Sequence, residues 1–185
     1  MSAAARQPDP VVFAAVGTDH HPFDRLVAWL DRWLAATAAD AGSCFVQAGT
    51  SRPPERAQSR AYLRHDEMEE AVRGATAVVT HAGPGTIMLC RYLGKTPIVV
   101  PRLHRLGEHV DDHQVLFARR LAAAGEIEIA ETRTRFFALL DEAVNGGGRS
   151  LRKRDSDVGE AVREFEELVS GLLGGRRRDR AQAER

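Results

Sequence analysis

Cysteine and lysine are almost missing from this chain, and long apolar runs are absent altogether. Of 185 residues, two are cysteines, Cys44 and Cys90, and two are lysines, Lys95 and Lys153. Cys44 falls in the apolar stretch Cys44 to Val46 and Cys90 in a helix-like segment. Without partner spacing they argue against a zinc site or a disulfide scaffold and for a reducing compartment. No apolar run approaches the roughly 20 residues that a bilayer span needs, and the N-terminus lacks a signal-peptide core, so the cytoplasm is the expected location. Net charge is also missing: 26 basic residues balance 26 acidic ones. No overall field then recruits nucleic acid or an anionic membrane. The one arginine cluster, Arg176 to Arg180, reads as part of a solvated tail, and no nucleic-acid partner is expected.

What is present is an alternation of strands and helices. Val11 to Val16 is a continuous apolar run, as expected of a parallel strand covered on both faces. Leu26, Val27, Leu30, Trp33 and Leu34 then recur at helical spacing from Asp24 onward. Cys44 to Val46, Ala77 to Val79, Pro97 to Val100 and Ile127 to Ile129 supply further strands. Asp66 with Glu69 has the spacing of a capping box, which predicts a short helix over Asp66 to Arg73. Phe136, Phe137, Leu140 and Val144 mark another helix. The pattern predicts an α/β fold with a Rossmann-like parallel sheet over residues 11–145. Residues 1–10 read as a disordered N-terminus and 146–157 as a linker. An amphipathic helix over 158–173 carries Val158, Val162, Phe165, Val169 and Leu172 on one face, and 174–185 read as a disordered basic tail.

In such a fold ligands bind beyond the carboxyl ends of the strands. Three segments fall there: Gly17 to Phe23, His81 to Gly85, and Pro101 to Gln114. Thr80-His81-Ala82-Gly83-Pro84-Gly85-Thr86, between a strand and a helix, suits a phosphate, because a glycine-rich turn into a helix points free N–H groups and the positive end of the helix dipole at one spot. The glycines let the backbone approach the anion, and His81 and Thr86 are the nearest side chains. The bland alternative is a loop that merely joins strand to helix.

His81-Ala82-Gly83-Pro84-Gly85-Thr86, Gly94 to Pro101 and Asp112-His113-Gln114 together resemble the nucleotide-sugar half of GT-B glycosyltransferases, specifically the family 28 C-terminal domain. Val16 to Asp24, with Pro101 to Gln114, resembles the stand-alone subunits of split transferases. These are the dolichol-linked N-acetylglucosamine transferase catalytic subunit and, more closely, bacterial exopolysaccharide glucuronosyltransferase relatives. The resemblance covers about Val11 to Val144. It implies a single C-terminal-type half of a GT-B fold that binds a UDP-sugar. The diphosphate would lie on Gly83, Gly85 and Thr86, with His81 beside it, and the uracil against the backbone from Tyr62 to Met68. Asp112 and Gln114, with Glu108, would hold sugar and ribose hydroxyls, while Gly17 and Thr18 border the acceptor side. Relatives often carry a ribose-binding glutamate where this chain has Leu89.

An inverting transfer needs a base for the acceptor hydroxyl and stabilisation of the departing diphosphate. His20, His21 and Asp19 are the base candidates, and Arg102, Arg105 and His81 the cationic helpers. An arginine wall at Arg102 and Arg105 would suit a donor bearing a carboxylate, such as UDP-glucuronate. The acceptor-binding half of a GT-B enzyme has no counterpart here. The resemblance therefore implies a membrane-anchored acceptor-binding subunit as partner and a lipid-linked glycan as acceptor, in polysaccharide biosynthesis. No metal or cofactor is expected. A dinucleotide-dependent oxidoreductase is the first rival, weakened by Met88 where its third glycine belongs. A degenerate nucleotide-sugar-binding scaffold is the second.

Overall fold

The structure, a computed structural model, describes residues 11–37 and 40–146. The expected N-terminal tail, the linker beyond Gly146, the helix over 158–173 and the basic tail lie outside the described residues.

The chain runs β1 (Val12–Ala15), α1 (Asp24–Thr37), β2 (Cys44–Gln47), β3 (Gln58–Arg60), α2 (His65–Gly74), β4 (Ala77–Thr80), α3 (Pro84–Tyr92), β5 (Ile98–Val99), α4 (His113–Ala123), β6 (Glu128–Ile129) and α5 (Arg133–Asn145). The strands form one sheet in the order β3-β2-β1-β4-β5-β6, every pair parallel. This is the doubly wound order, which reverses direction between β1 and β4.

Successive side chains of a strand point to opposite faces, so each apolar run supplies two cores. Val12, Ala14, Val16, Ala77 and Val79 pack with Leu26, Leu30, Phe136 and Leu140, from α1 and α5. Phe13, Ala15 and Val78 pack with Ala71, Val72 and Cys90, from α2 and α3. Trp33 donates its indole N–H to Asp141 Oδ1 at 2.8 Å, which ties α1 to α5. Both cysteines are buried, and burial pushes each thiol up to about 12. Such thiols are inert core side chains at neutral pH.

One expectation is corrected and one strand was missed. The helix start predicted at Asp66 lies earlier: Glu67, not Glu69, reaches back, its Oε2 accepting the Arg64 N–H at 2.9 Å, while Asp66 pairs with the Arg64 guanidinium at 2.7 Å. Strand β3 carries no apolar signal, since Gln58, Ser59 and Arg60 form an edge strand held by backbone pairing to Phe45, Val46 and Gln47.

Candidate active site at the reversal of the sheet

All seven histidines of the chain fall in a strand-to-helix connection or on the first residue of the following helix, beyond the carboxyl ends of the strands. The densest group flanks the reversal point, where the β1–α1, β4–α3 and β5–α4 connections meet.

At the β4–α3 connection, Gly83 is the N-cap of α3 and Pro84 takes its first turn, where a missing N–H costs nothing. The N–H groups of Gly85 and Thr86 belong to the first turn and have no carbonyl four residues back within the helix. The two glycines of the turn differ in purpose. A Cβ at Gly83 would lie 2.2 Å from His81 Nε2, and one at Gly17 would lie 2.8 Å from His81 Cε1. Both positions are therefore glycine because the His81 ring packs against them, and Gly17 also has φ +101, which other residues rarely adopt. A Cβ at Gly85 would meet nothing within 4 Å. Open space lies in front of the helix dipole there, which suits an anion.

His81 is not a cation at neutral pH. Burial, reinforced by the nearby Arg102 charge, lowers its imidazole to about 4. The expected role as a cationic helper is thus corrected: a neutral ring wedges β1 against β4, its backbone N–H donating to Ala15 O at 3.3 Å.

In the β1–α1 connection Asp19 gathers the histidines. Its Oδ1 accepts the His21 backbone N–H at 2.9 Å and lies 2.7 Å from His21 Nδ1 and 3.2 Å from His20 Nδ1. From the β5–α4 connection, His109 Nε2 comes within 3.8 Å of Asp19 Oδ2. The His21 backbone N–H, followed by the His21 side chain and the charge on Arg102, lowers the Asp19 carboxyl to about 2 against the opposing effect of burial. So weak a base cannot take a hydroxyl proton efficiently at neutral pH. Asp19 instead holds both the backbone and the ring of His21 in place. His20 has a side chain 82% exposed and Thr18 is exposed.

Arg102 does not form a wall with Arg105, and the Glu108 carboxylate is already engaged within the protein. Arg102 is 1% exposed; Nη1 donates to His21 O at 2.5 Å and Glu108 O at 2.8 Å, and Nη2 to Val16 O at 2.8 Å. Its guanidinium also lies over the Phe23 ring, 5.0 Å from the centroid. The Glu108 carboxylate is taken by Arg25, with Nε and Nη2 each at 2.8 Å, and by the Leu103 N–H at 2.9 Å. Both residues were expected to meet the donor. Instead they clamp the first and third connections together, because a buried charge must be paired and hydrogen-bonded.

Of the remaining expected residues, Arg105 is exposed on the short 3-10 turn His104–Leu106. Asp112 Oδ1 accepts the His104 N–H at 3.0 Å. Gln114 stands in the first turn of α4, and its buried Oε1 has no hydrogen-bond partner among the described residues. The Tyr62 to Met68 segment follows the carboxyl end of β3, with Tyr62 exposed. Leu89 packs against the α2 and α3 side of the core. Residue-level reading of the sequence missed Arg25, His109 and Asp31. Arg25 and His109 act only through contacts distant in sequence. Asp31 is a buried acid on α1 whose Oδ1 accepts the Glu55 and Arg56 N–H groups at 2.9 and 3.0 Å; its signal was an acidic residue between the apolar positions Leu30 and Leu34.

The parallel doubly wound sheet, with an open glycine turn at its reversal point, puts the domain in the Rossmann-like α/β class. More narrowly, the chain belongs to the glycosyltransferase family 28 C-terminal domain, whose family model matches residues 35–169. Among solved structures it is similar to a glycosyltransferase of kitacinnamycin, with TM-score 0.54 and 16% identity over 90% of this chain and 45% of that one. It is also similar to the calicheamicin glycosyltransferase, with TM-score 0.51 and 14% identity over 94% of this chain and 46% of that one. At such identities the likeness is one of fold, and the chain spans under half the length of either structure. No protein of curated function matches. The expected fold, a Rossmann-like parallel sheet of the kind that forms one half of a GT-B enzyme, is the fold observed.

Proposed function

We propose that this chain is the UDP-sugar-binding half of an inverting glycosyltransferase and acts with a separate acceptor-binding, membrane-anchored subunit. One observation carries the reading: a family 28 domain with open space at Gly85 in the first turn of α3, and an Asp19–His21 pair in the β1–α1 connection on the other side of the sheet's reversal. The diphosphate rests on the first turn of α3, where N–H groups and the helix dipole take up the charge that develops on the leaving group. His21 Nε2 accepts the proton of the acceptor hydroxyl while Asp19 holds the Nδ1–H. The hydroxyl oxygen bonds to the anomeric carbon as the bond to UDP breaks on the opposite side. The donor is a hexose-type UDP-sugar, glucuronate or N-acetylglucosamine, and the acceptor a lipid-linked glycan of polysaccharide biosynthesis. No helix among the described residues is long and apolar enough to cross a membrane, so on this reading the partner brings the domain to the inner membrane face.

Calorimetric titration of the chain with UDP, UDP-glucuronate, UDP-glucose and UDP-N-acetylglucosamine tests the donor role, with Gly85→Asp as control. Binding of UDP and one favoured sugar, lost in the control, is the expected outcome. Absence of binding, with and without the partner, would overturn the reading. The second reading, a nucleotide-sugar-binding scaffold without turnover, is favoured by Leu89, which is spent on core packing where relatives place a ribose-binding glutamate. Transfer by the reconstituted pair, reduced about 10²–10⁴-fold by His21→Ala as expected of a lost general base, separates the two.

A further inference from the structure

Three consecutive residues of the β1–α1 connection carry a mixed donor set, and the fold brings one further histidine towards it. Asp19, His20 and His21 each offer a ligand atom, and these lie within 4.8 Å of one another. Ligands around a four-coordinate zinc ion at 2.0–2.1 Å are about 3.4 Å apart. The Asp19 Oδ1 to His20 Nδ1 separation, 3.2 Å, is close to that spacing. His21 Nδ1 lies at hydrogen-bond distance, 2.7 Å, and its ring must draw back by about 0.7 Å to admit an ion. His109 Nε2 approaches the other carboxylate oxygen at 3.8 Å, from a different connection.

The backbone behind these side chains is already fixed. Thr50 Oγ1 donates to Asp19 O at 3.0 Å, and Arg102 Nη1 donates to His21 O. An ion therefore meets a loop that is ordered before it arrives, with supports of the kind that orient metal ligands elsewhere. Imidazoles with one carboxylate suit zinc, cobalt or nickel, whereas magnesium and calcium take oxygen ligands.

We propose that Asp19, His20 and His21, with His109 as a fourth side chain within reach, bind a divalent transition-metal ion of the zinc and cobalt class, and that the bound ion silences His21. Silencing follows from the ring's two nitrogens. Free of metal, Nδ1 carries the proton and donates to Asp19, leaving the Nε2 lone pair for an incoming proton. Coordination uses the Nδ1 lone pair, so the single ring proton moves to Nε2, with no net proton taken up or released. That nitrogen then has no lone pair to offer. This second step rests on the role given to His21 above, whereas the metal site itself does not.

The test is titration of the tag-free full chain with Co2+, read by the visible bands of a four-coordinate cobalt centre, followed by displacement with Zn2+. Asp19→Ala, His20→Ala and His21→Ala should each weaken binding at least about tenfold, the loss that even an outer-shell change causes. His20→Ala alters a side chain 82% exposed, so it keeps the test valid if the others fold poorly. Zn2+ should leave UDP affinity unchanged and abolish transfer by the partnered enzyme, with recovery on adding a chelator. Equal Co2+ affinity in the wild type and in Asp19→Ala and His20→Ala, or a spectrum of six-coordinate cobalt alone, would overturn the site. Loss of UDP affinity with Zn2+ would place the ion on the phosphate turn and overturn the proposal too. If UDP fails to bind with or without metal, the donor reading falls while the cobalt spectrum still decides the site.

Discussion

Gly83 and Gly85 stand two residues apart in one turn and answer to different forces. Substitution at Gly83 drives a methyl group into the His81 ring at 2.2 Å, so the wedge between β1 and β4 must shift. Gly83→Ala should cost about 1–3 kcal/mol in a urea unfolding experiment, the range for overpacking. Gly85 is free of neighbours, and its φ is not among the positive ones. Gly85→Asp should leave the unfolding midpoint unchanged or slightly raised, since a carboxylate in the first turn of a helix is favoured. The same carboxylate would occupy and repel the anion site, so UDP binding should vanish in calorimetry. Stability lost at one glycine and affinity lost at the other is the expected pair of results. The sequence showed two glycines suited to a phosphate; which one is left with open space depended on where a ring from the same turn came to rest.

At the scale of elements, the buried Arg102 joins the end of β1 to the β1–α1 and β5–α4 connections through three carbonyls. Arg102→Met keeps much of the volume but leaves those carbonyls without their donor, at about 1–3 kcal/mol for each one left unsatisfied. Thermal unfolding should show a loss of about 3–5 kcal/mol, while the ratio of UDP-glucuronate to UDP affinity in the folded protein stays unchanged. A changed ratio would restore the arginine wall. Asp31 does comparable work on the β2–β3 connection. Asp31→Ala should speed hydrogen exchange at the Glu55 and Arg56 amides, whose acceptor it removes. The apolar strands and amphipathic helices were legible because burial on a sheet or helix face imposes a period on the sequence. Strand β3 was not, since Gln58, Ser59 and Arg60 carry no apolar period and join the edge of the sheet through backbone pairing.

Over the whole molecule, acid should act in two windows. His81 is lowered from 6.5 to about 4 in the folded protein, so the unfolded chain binds its proton more readily between those values. Stability then rises with pH across that window and is lost as pH falls from about 6.5 to about 4, by up to roughly 3 kcal/mol. Asp19 is lowered from 3.8 to about 2, so its contribution is present above 3.8 and is lost as pH falls through about 2. Urea titrations at pH 7.5 and 4.5 should show the first loss, and His81→Gln should flatten it. The ring thus links the acid response of the fold to the junction of β1 and β4 beside the anion turn.

The sequence by itself determined the alternating α/β plan, the glycine-rich turn between the fourth strand and the third helix, and the resemblance to the family 28 C-terminal domain, which the family match bears out. Those features are written in local periods and short motifs, which one-dimensional patterns preserve. Only the tertiary structure decided the roles of charged side chains. Arg102, Glu108 and His81 were all placed in the site by position along the chain, and all three are defined by contacts made across it. A charge buried at the meeting of three loops is held by the nearest carbonyls and carboxylates, and those neighbours exist only once the sheet has brought the loops together.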